Sequence, residues 1–186
     1  MAQADKEKWN NKYKNNPIPN EPIKLIRDHI NIAKVGKALD IACGMGRHSK
    51  YLVSLGFEVK ALDISSVAIA ALQGNPSITA MEVDFDTYQL DETTYDLIVC
   101  SYFLERKLFT QMIKALKPNG LVMIETFMHD SKNEKEPSNP SFLLKKGELE
   151  SYFEKDCEIN YIKQWWDKDY TGTKVMKVSM IAKKKP

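Results

Sequence analysis

The chain has 186 residues, 43% hydrophobic and 28% charged, which is the size of one domain with too little left over for a second independent core. Its formal net charge of +2 excludes a protein governed by a strong field, such as a dedicated nucleic-acid binder or an acidic tail. No apolar run approaches the ~20 residues that span a bilayer, so no membrane partner is expected. Three scattered cysteines, Cys43, Cys100 and Cys157, fit buried residues in a reducing compartment better than a disulfide framework. The polar opening segment, Met1 to Lys14, lacks the apolar stretch of a secretory signal, and the expectation is a cytoplasmic protein.

In chain order, Asp5 to Lys14 reads as a short helix with Trp9 and Tyr13 four apart on one face. The segment Asn15 to Asn20, with two prolines, breaks it. A second helix is expected from Glu21-Pro22, with Ile23, Ile26 and Ile30 at helical spacing. Residues 1–36 thus form an N-terminal helical lid segment, ahead of a main domain over 37–186. From Lys37 the period changes: the short apolar run Ala38 to Ala42 ends in Cys43-Gly44-Met45-Gly46, a buried strand. A helix follows, with Tyr51, Leu52 and Leu55 on one face, and Gly56 stops it. Phe57 to Asp63 forms strand two, and Ser65 caps a helix through Val67, Ala68, Ala71 and Leu72.

Ile78 to Val83 is strand three, with Asp84-Phe85 at its carboxyl end. Tyr95 to Cys100, nearly continuous in apolar residues, suits a central strand covered on both faces. A helix with Leu104, Leu108, Met112 and Leu116 on one face comes next, ended by the turn residues Lys117-Pro118-Asn119-Gly120. Strand five is Leu121 to Thr126, and His129 to Ser141 reads as a long polar loop. A short helix over Lys146 to Phe153 precedes two strands, Cys157 to Trp165 and Lys174 to Lys183, joined by a turn at Asp169 to Gly172. Alternating strands and helices predict an α/β, doubly wound, mostly parallel sheet, and the last two strands pair as a hairpin.

In such sheets the ligand sits at the carboxyl ends of the strands, where the strand order reverses. After strand one, Gly44 and Gly46 remove side chains and let a ligand approach the backbone, with a helix N-terminus behind them. After strand two, Asp63 stands where a carboxylate accepts both ribose hydroxyls. After strand three, Asp84 offers an acceptor for an exocyclic amine, with the Phe85 ring beside it. Together these read as an adenosyl ligand. A nicotinamide site would want a third glycine where Ser49 stands, and the phosphate-binding loop G-x-x-x-x-G-K-[ST] is absent.

Asp40-x-Ala42-Cys43-Gly44-x-Gly46, Asp63, Asp84-Phe85, Tyr95 to Cys100 and Leu116 to Gly120 resemble the successive motifs of class I S-adenosylmethionine-dependent methyltransferases. Gly46-Arg47-His48-Ser49, Ser141 to Leu149 and the strand ending Ala182-Lys183 resemble more narrowly the tellurite-resistance methyltransferase branch. The resemblance implies a Rossmann-like seven-stranded sheet of order 3-2-1-4-5-7-6 with the last strand antiparallel, and S-adenosyl-L-methionine as cofactor. It implies that Asp40 orders the glycine loop or holds the cofactor's amino group, and that backbone at Cys43, Gly44, Gly46 and Cys100 lines the methionine portion. Asp63 holds ribose, and Asp84 with Phe85 reads adenine. Ala42, Arg47, His48, Ile64 and Tyr102 complete the cofactor set, and Trp9 with Tyr13 resembles a segment that closes over the methionine end. Tyr102 and Phe103 face the acceptor. Ala42 stands where the general motif has its first glycine, and Asn119 where glycine is common.

The resulting expectation is an enzyme transferring a methyl group to a small-molecule acceptor by in-line displacement, as a monomer or homodimer. A thiol or chalcogen oxyanion would need little base help; a hydroxyl or amine would need a base, for which His129, Glu125 and His48 are candidates. Tyr102 is a further candidate catalytic residue. No metal is called for. The alternatives are an RNA or protein methyltransferase and a non-catalytic adenosyl-binding module, and nucleic acid is disfavoured by the absence of basic clustering.

Overall fold

Strand propensity and glycine punctuation build a sheet whose order is β3-β2-β1-β4-β5-β7-β6. The computed structural model describes residues 2–15, 19–134, 140–169 and 172–186. Its elements are α1 (Ala2–Asn15), α2 (Lys24–His29), β1 (Lys37–Ile41), α3 (Arg47–Ser54), β2 (Glu58–Asp63), α4 (Ser66–Ala70) and β3 (Ile78–Glu82). There follow β4 (Tyr95–Ser101), α5 (Lys107–Ala115), β5 (Leu116–Met128), α6 (Glu148–Phe153), β6 (Cys157–Lys168) and β7 (Lys174–Lys184). β1 to β5 pair in parallel, and β7 runs antiparallel to both β5 and β6. The expected order and the antiparallel last strand are both present.

β4 explains the two-sided core. Its alternate residues separate: Ile98 and Cys100 join Leu108, Met112 and Phe153 on the face covered by α5 and α6. Leu97 and Val99 join Ile26, Leu52 and Leu72 on the face covered by α2, α3 and α4. Each such side chain contributes roughly 1.5–3 kcal/mol by leaving water. Ile23, Leu25, Ile26 and Ile30 all belong to this second cluster, so α2 is core. α1 contributes to neither cluster and lies outside it.

Several boundaries differ from the sequence reading. α2 begins at Lys24 rather than Pro22. Leu104 is buried in the loop before α5, and Leu116 already starts β5. The helical spacing was real, but only its middle is helix, because the ends are buried by neighbouring elements instead. Lys117 to Gly120 does not reverse the chain; it is a bulge within β5, marked by the register shift between Tyr95 and Leu97 of β4. Asn119 absorbs it at φ +65, a left-handed conformation that asparagine tolerates. α4 is shorter than expected, with Leu72 in the following turn.

Trp165 and Trp166, adjacent on β6, are both half-buried. Of the prolines at 17 and 19, residue 17 lies outside the described residues, as do 135–139 of the long loop and 170–171 of the last turn. The described flanks of the long loop are tied down. Asn133 Oδ1 accepts the Met176 N–H at 2.8 Å and Glu134 Oε2 accepts the Lys174 N–H at 2.9 Å. Arg106 donates to Glu148 and to the carbonyls of Ser141 and Leu143.

Candidate functional site

The topological switch point falls between β1 and β4, and the loops after β1, β2 and β3 meet beside it. Ala42 opens the first loop at φ +52, which explains why glycine suits that position: a Cβ there is strained. Gly44, at φ +54, comes next, and a Cβ added to it would stand 3.0 Å from the Tyr13 phenol oxygen, pointing into the crevice. At Gly46 the missing side chain makes room for Leu72, into which a Cβ would run, so at φ +76 the absent Cβ serves loop-to-helix packing.

Two buried carboxylates hold this loop. Asp40, 1% exposed, accepts the Ser49 N–H at 3.0 Å and the Ser49 hydroxyl at 2.6 Å with the same oxygen. Its side chain is therefore committed to ordering the start of α3. Asp63 accepts the Gly44 N–H at 2.8 Å on one oxygen and the Ser65 N–H at 2.8 Å on the other. Burial raises its carboxyl pKa, and these backbone N–H groups oppose that shift. A carboxylate has about four lone-pair sites, so Asp63 retains acceptor capacity beyond these two bonds. Ser65 in turn caps α4 through the Ala68 N–H at 3.2 Å.

His48 is 2% exposed; its Nε2 accepts the Ile23 N–H at 3.4 Å and its Nδ1 lies 3.9 Å from Asp40 Oδ1, so it joins α3 to the start of α2 and to the end of β1. Cys43 is also core: burial, then Asp40 and Asp63, push its thiol well up. Burial pushes Cys100 up to about 12 and Cys157 up to about 11. None of the three is poised as a thiolate.

Beyond β2 and β3, Ile64 and Asp84 line a cleft of about 230 Å³ together with Val83, Glu82, Gln3 and Lys6. Asp84 Oδ1 accepts the Asp86 N–H at 2.8 Å, while Phe85 is buried against Phe103 with ring centres 5.2 Å apart. The far wall of this cleft is α1. Lys6 pairs with Glu82, and Asn10 Oδ1 accepts the Ser65 hydroxyl at 2.6 Å. Trp9 and Tyr13 stack 5.5 Å apart, and Tyr13, whose hydroxyl pKa is raised by burial and then by Asp63, lies over Gly44. Ligand pockets generally measure about 300–1,000 Å³, so α1 fills part of this crevice.

On the β4–β5–β7 side stands a network that sequence reasoning largely missed. Tyr102, at φ +55, donates its N–H to the Glu125 carbonyl at 2.8 Å and its hydroxyl to Glu125 Oε1 at 2.6 Å. Glu125 Oε2 accepts the Ser179 hydroxyl at 2.7 Å, and Trp165 Nε1 donates to Ser179 Oγ at 3.1 Å. Lys177, 5% exposed, donates to Asp167 at 2.7 Å and to Tyr102 Oη at 3.3 Å, and its ammonium lies 4.9 to 5.7 Å from the Tyr102, Trp165 and Phe127 ring centres. Arg47 lies over Tyr102 at 5.6 Å and donates to Ser101 Oγ at 3.5 Å. Burial, then Glu125, raises the Tyr102 hydroxyl pKa, so Tyr102 is a hydrogen-bond donor here and is unsuited to be the base. His129, one residue past β5, is exposed at the same end of the sheet, its N–H bonded to the Leu144 carbonyl at 2.8 Å. The available signal for the network was a lone acid in the apolar run Leu121–Thr126 and a lone lysine between Met176 and Val178.

Sheet order, antiparallel β7 and the convergence of three strand ends on one crevice define the class I S-adenosylmethionine-dependent methyltransferase fold. More narrowly, the chain belongs to the TehB family: the family description "Tellurite resistance protein TehB" matches residues 1–180. Family membership implies S-adenosyl-L-methionine as the cofactor. TehB from Haemophilus influenzae is similar in structure, with a TM-score of 0.75, as is a methyltransferase from Methanosarcina mazei, with a TM-score of 0.71. The first is 26% identical and is matched over 97% of this chain and 67% of its own; the second is 18% identical, over 89% and 99%, and shows the fold alone. Among curated relatives, a ubiquinone biosynthesis O-methyltransferase of Rickettsia typhi is 27% identical over 120 residues, covering 59% of this chain and 48% of that protein. The chain thus spans about half the length of the curated relatives it matches. Among the described residues no helix is long and apolar enough to cross a membrane.

Proposed function

We propose that the chain is an S-adenosylmethionine-dependent methyltransferase acting on a small, soft acceptor. One observation carries this reading: the Gly44 N–H donates to Asp63 at 2.8 Å, which fastens the β1 loop to the β2 end beside the cleft that Ile64 and Asp84 line. The residues fit an adenosyl cofactor. The absent Cβ of Gly44 faces the Tyr13 phenol of α1, Asp63 keeps free lone pairs for ribose hydroxyls, and Asp84 beside Phe85 suits an adenine edge. Cys43 and Cys100 contribute backbone only, and Arg47 supplies a cation for the methionine carboxylate.

When bound, S-adenosyl-L-methionine supplies an activated methyl group for in-line displacement. The protein's share is then orientation and exclusion of water, worth up to roughly 7–11 kcal/mol in well-aligned systems. Tyr102, clamped by Glu125 at both backbone and hydroxyl, forms a rigid wall toward the acceptor. α1, held by Asn10 and Lys6, is the lid, and it must shift to admit a cofactor larger than the cleft. The thiols are all pushed up, and the Tyr102 hydroxyl and both Glu125 oxygens are engaged. This favours acceptors that need no base, a small thiol or a chalcogen oxyanion, in keeping with the tellurite-resistance family to which the chain belongs.

Calorimetry with S-adenosylhomocysteine should give binding while NAD gives none, and the reverse ranking would overturn the cofactor assignment. Formation of S-adenosylhomocysteine in the presence of tellurite, selenite or small thiols tests the acceptor. Turnover only with a hydroxyl or amine acceptor would overturn the soft-acceptor reading.

A further inference from the structure

The end of the sheet opposite the cofactor crevice holds a second, larger concavity of about 780 Å³. It lies at the amino ends of β4 and β5 and the carboxyl end of the antiparallel β7, and none of the candidate methyltransferase residues reaches it. Its lining carries Lys34, Lys117 and Lys183 against a single carboxylate, Asp96. That carboxylate is already engaged. It accepts the Lys117 ammonium at 2.6 Å and the Lys37 N–H at 3.0 Å. Burial pushes its pKa up, but these two donors outweigh that and hold it below the ordinary carboxylate value.

Lys34 and Lys183 are left. Among the described residues neither has a carboxylate oxygen within 4.0 Å, although Glu158 is the cross-strand neighbour of Lys183. In a chain whose net charge is only +2, three ammonium groups therefore face one hollow against one carboxylate, Asp96, on which Lys34 acts only through space. Asn160, at the β6 bulge, and Asn119, held left-handed at φ +65 in the β5 bulge, add amide groups to its wall. Ile32, 52% exposed, supplies an apolar side.

We infer that this hollow is a binding site for a small phosphate-bearing molecule with an apolar body, distinct from the cofactor crevice. The lysines attract the phosphate as point charges, the amides orient it, and Ile32 packs against the remainder. The volume lies within the range typical of small-molecule sites, about 300–1,000 Å³. A shallow field of surface lysines without a concavity would bind polyanions but would not prefer an apolar substituent.

Isothermal calorimetry on the full chain with inorganic phosphate and with phenyl phosphate tests the inference. Phenyl phosphate should bind more tightly than phosphate, and Lys34→Ala/Lys183→Ala should weaken it about tenfold or more. Ile32→Ser should erase the preference for the phenyl compound while leaving phosphate affinity in place. Lys50→Ala, on the exposed side of α3, should change nothing. Ile32, Lys34 and Lys50 are exposed and Lys183 is half-buried at the end of β7, and thermal unfolding of each variant should show a cooperative transition like that of the parent. Equal affinity of the double variant, equal loss in the Lys50 variant, or no preference for phenyl phosphate would each overturn the inference.

Discussion

Replacing Asp63 by alanine probes the join between the two loops that build the crevice. The carboxylate accepts two buried backbone N–H groups, from Gly44 and Ser65, each at 2.8 Å, and is 4% exposed. An unpaired buried donor costs about 1–3 kcal/mol. Two of them, offset by relief from burying a charge, give an expected loss of about 2–4 kcal/mol. With a urea dependence of about 2 kcal/mol/M for a domain of this size, the unfolding midpoint should fall by about 1–2 M. Cofactor affinity should fall as well, because the Gly44 loop is released and the ribose loses its acceptor. Hydrogen bonds to a charged group are worth about 1.5–3 kcal/mol, or roughly a 10- to 150-fold rise in the dissociation constant for S-adenosylhomocysteine. Asp63→Asn keeps one acceptor and should fall between. An alanine variant with an unchanged urea midpoint and unchanged affinity would refute both the structural and the ligand role.

Further outcomes follow from the same contacts. Removing residues 1–18 should leave the melting temperature nearly unchanged, because α1 joins neither core cluster. Turnover should nevertheless drop, measured as S-adenosylhomocysteine release, and loss of folded protein would make α1 part of the core. The three cysteines, all buried with thiols pushed up, should resist Ellman's reagent in native buffer and react only on unfolding. A fast-reacting native thiol would contradict the packing of the glycine loop. Glu148 has its pKa lowered first by its hydrogen bonds from Arg106. It therefore contributes stability that is present above its unfolded pKa and lost as pH falls through the lowered value. Glu148→Gln should flatten the stability loss on acidification below about pH 4, read as the urea midpoint against pH, and an unchanged acid limb would discount the pair. Asp63 has the opposite sign. Its raised pKa means that the stability linked to its protonation fades as pH rises.

The strand ends could be read in advance because each candidate residue there is set by a local rule. A glycine loop follows a short apolar run, an acid ends the next strand, and Asp84-Phe85 ends the third. These depend on spacing along the chain, and the structure brings Gly44, Asp63, Ile64 and Asp84 to one place. What His48 and Gly46 pack against was not legible for a shared reason: their positions in the motif are local, but their neighbours are tertiary. Gly46 is small because Leu72 arrives from the turn after α4, and His48 is buried because Ile23 of the α2 segment needs an acceptor.

Sequence alone therefore determined the alternation of strands and helices, the antiparallel last strand and the order of the loops along the crevice, since periodicity and turn chemistry act within a few residues. Only the tertiary structure decided that the Tyr13 hydroxyl is the group set against Gly44, that Arg106 anchors the segment at Ser141 and Leu143, and that Glu125, Lys177 and Tyr102 form one buried network. Those contacts join residues from 13 to 177 across separate elements, and a buried charge reveals its partner only once packing has removed the water that would otherwise serve it.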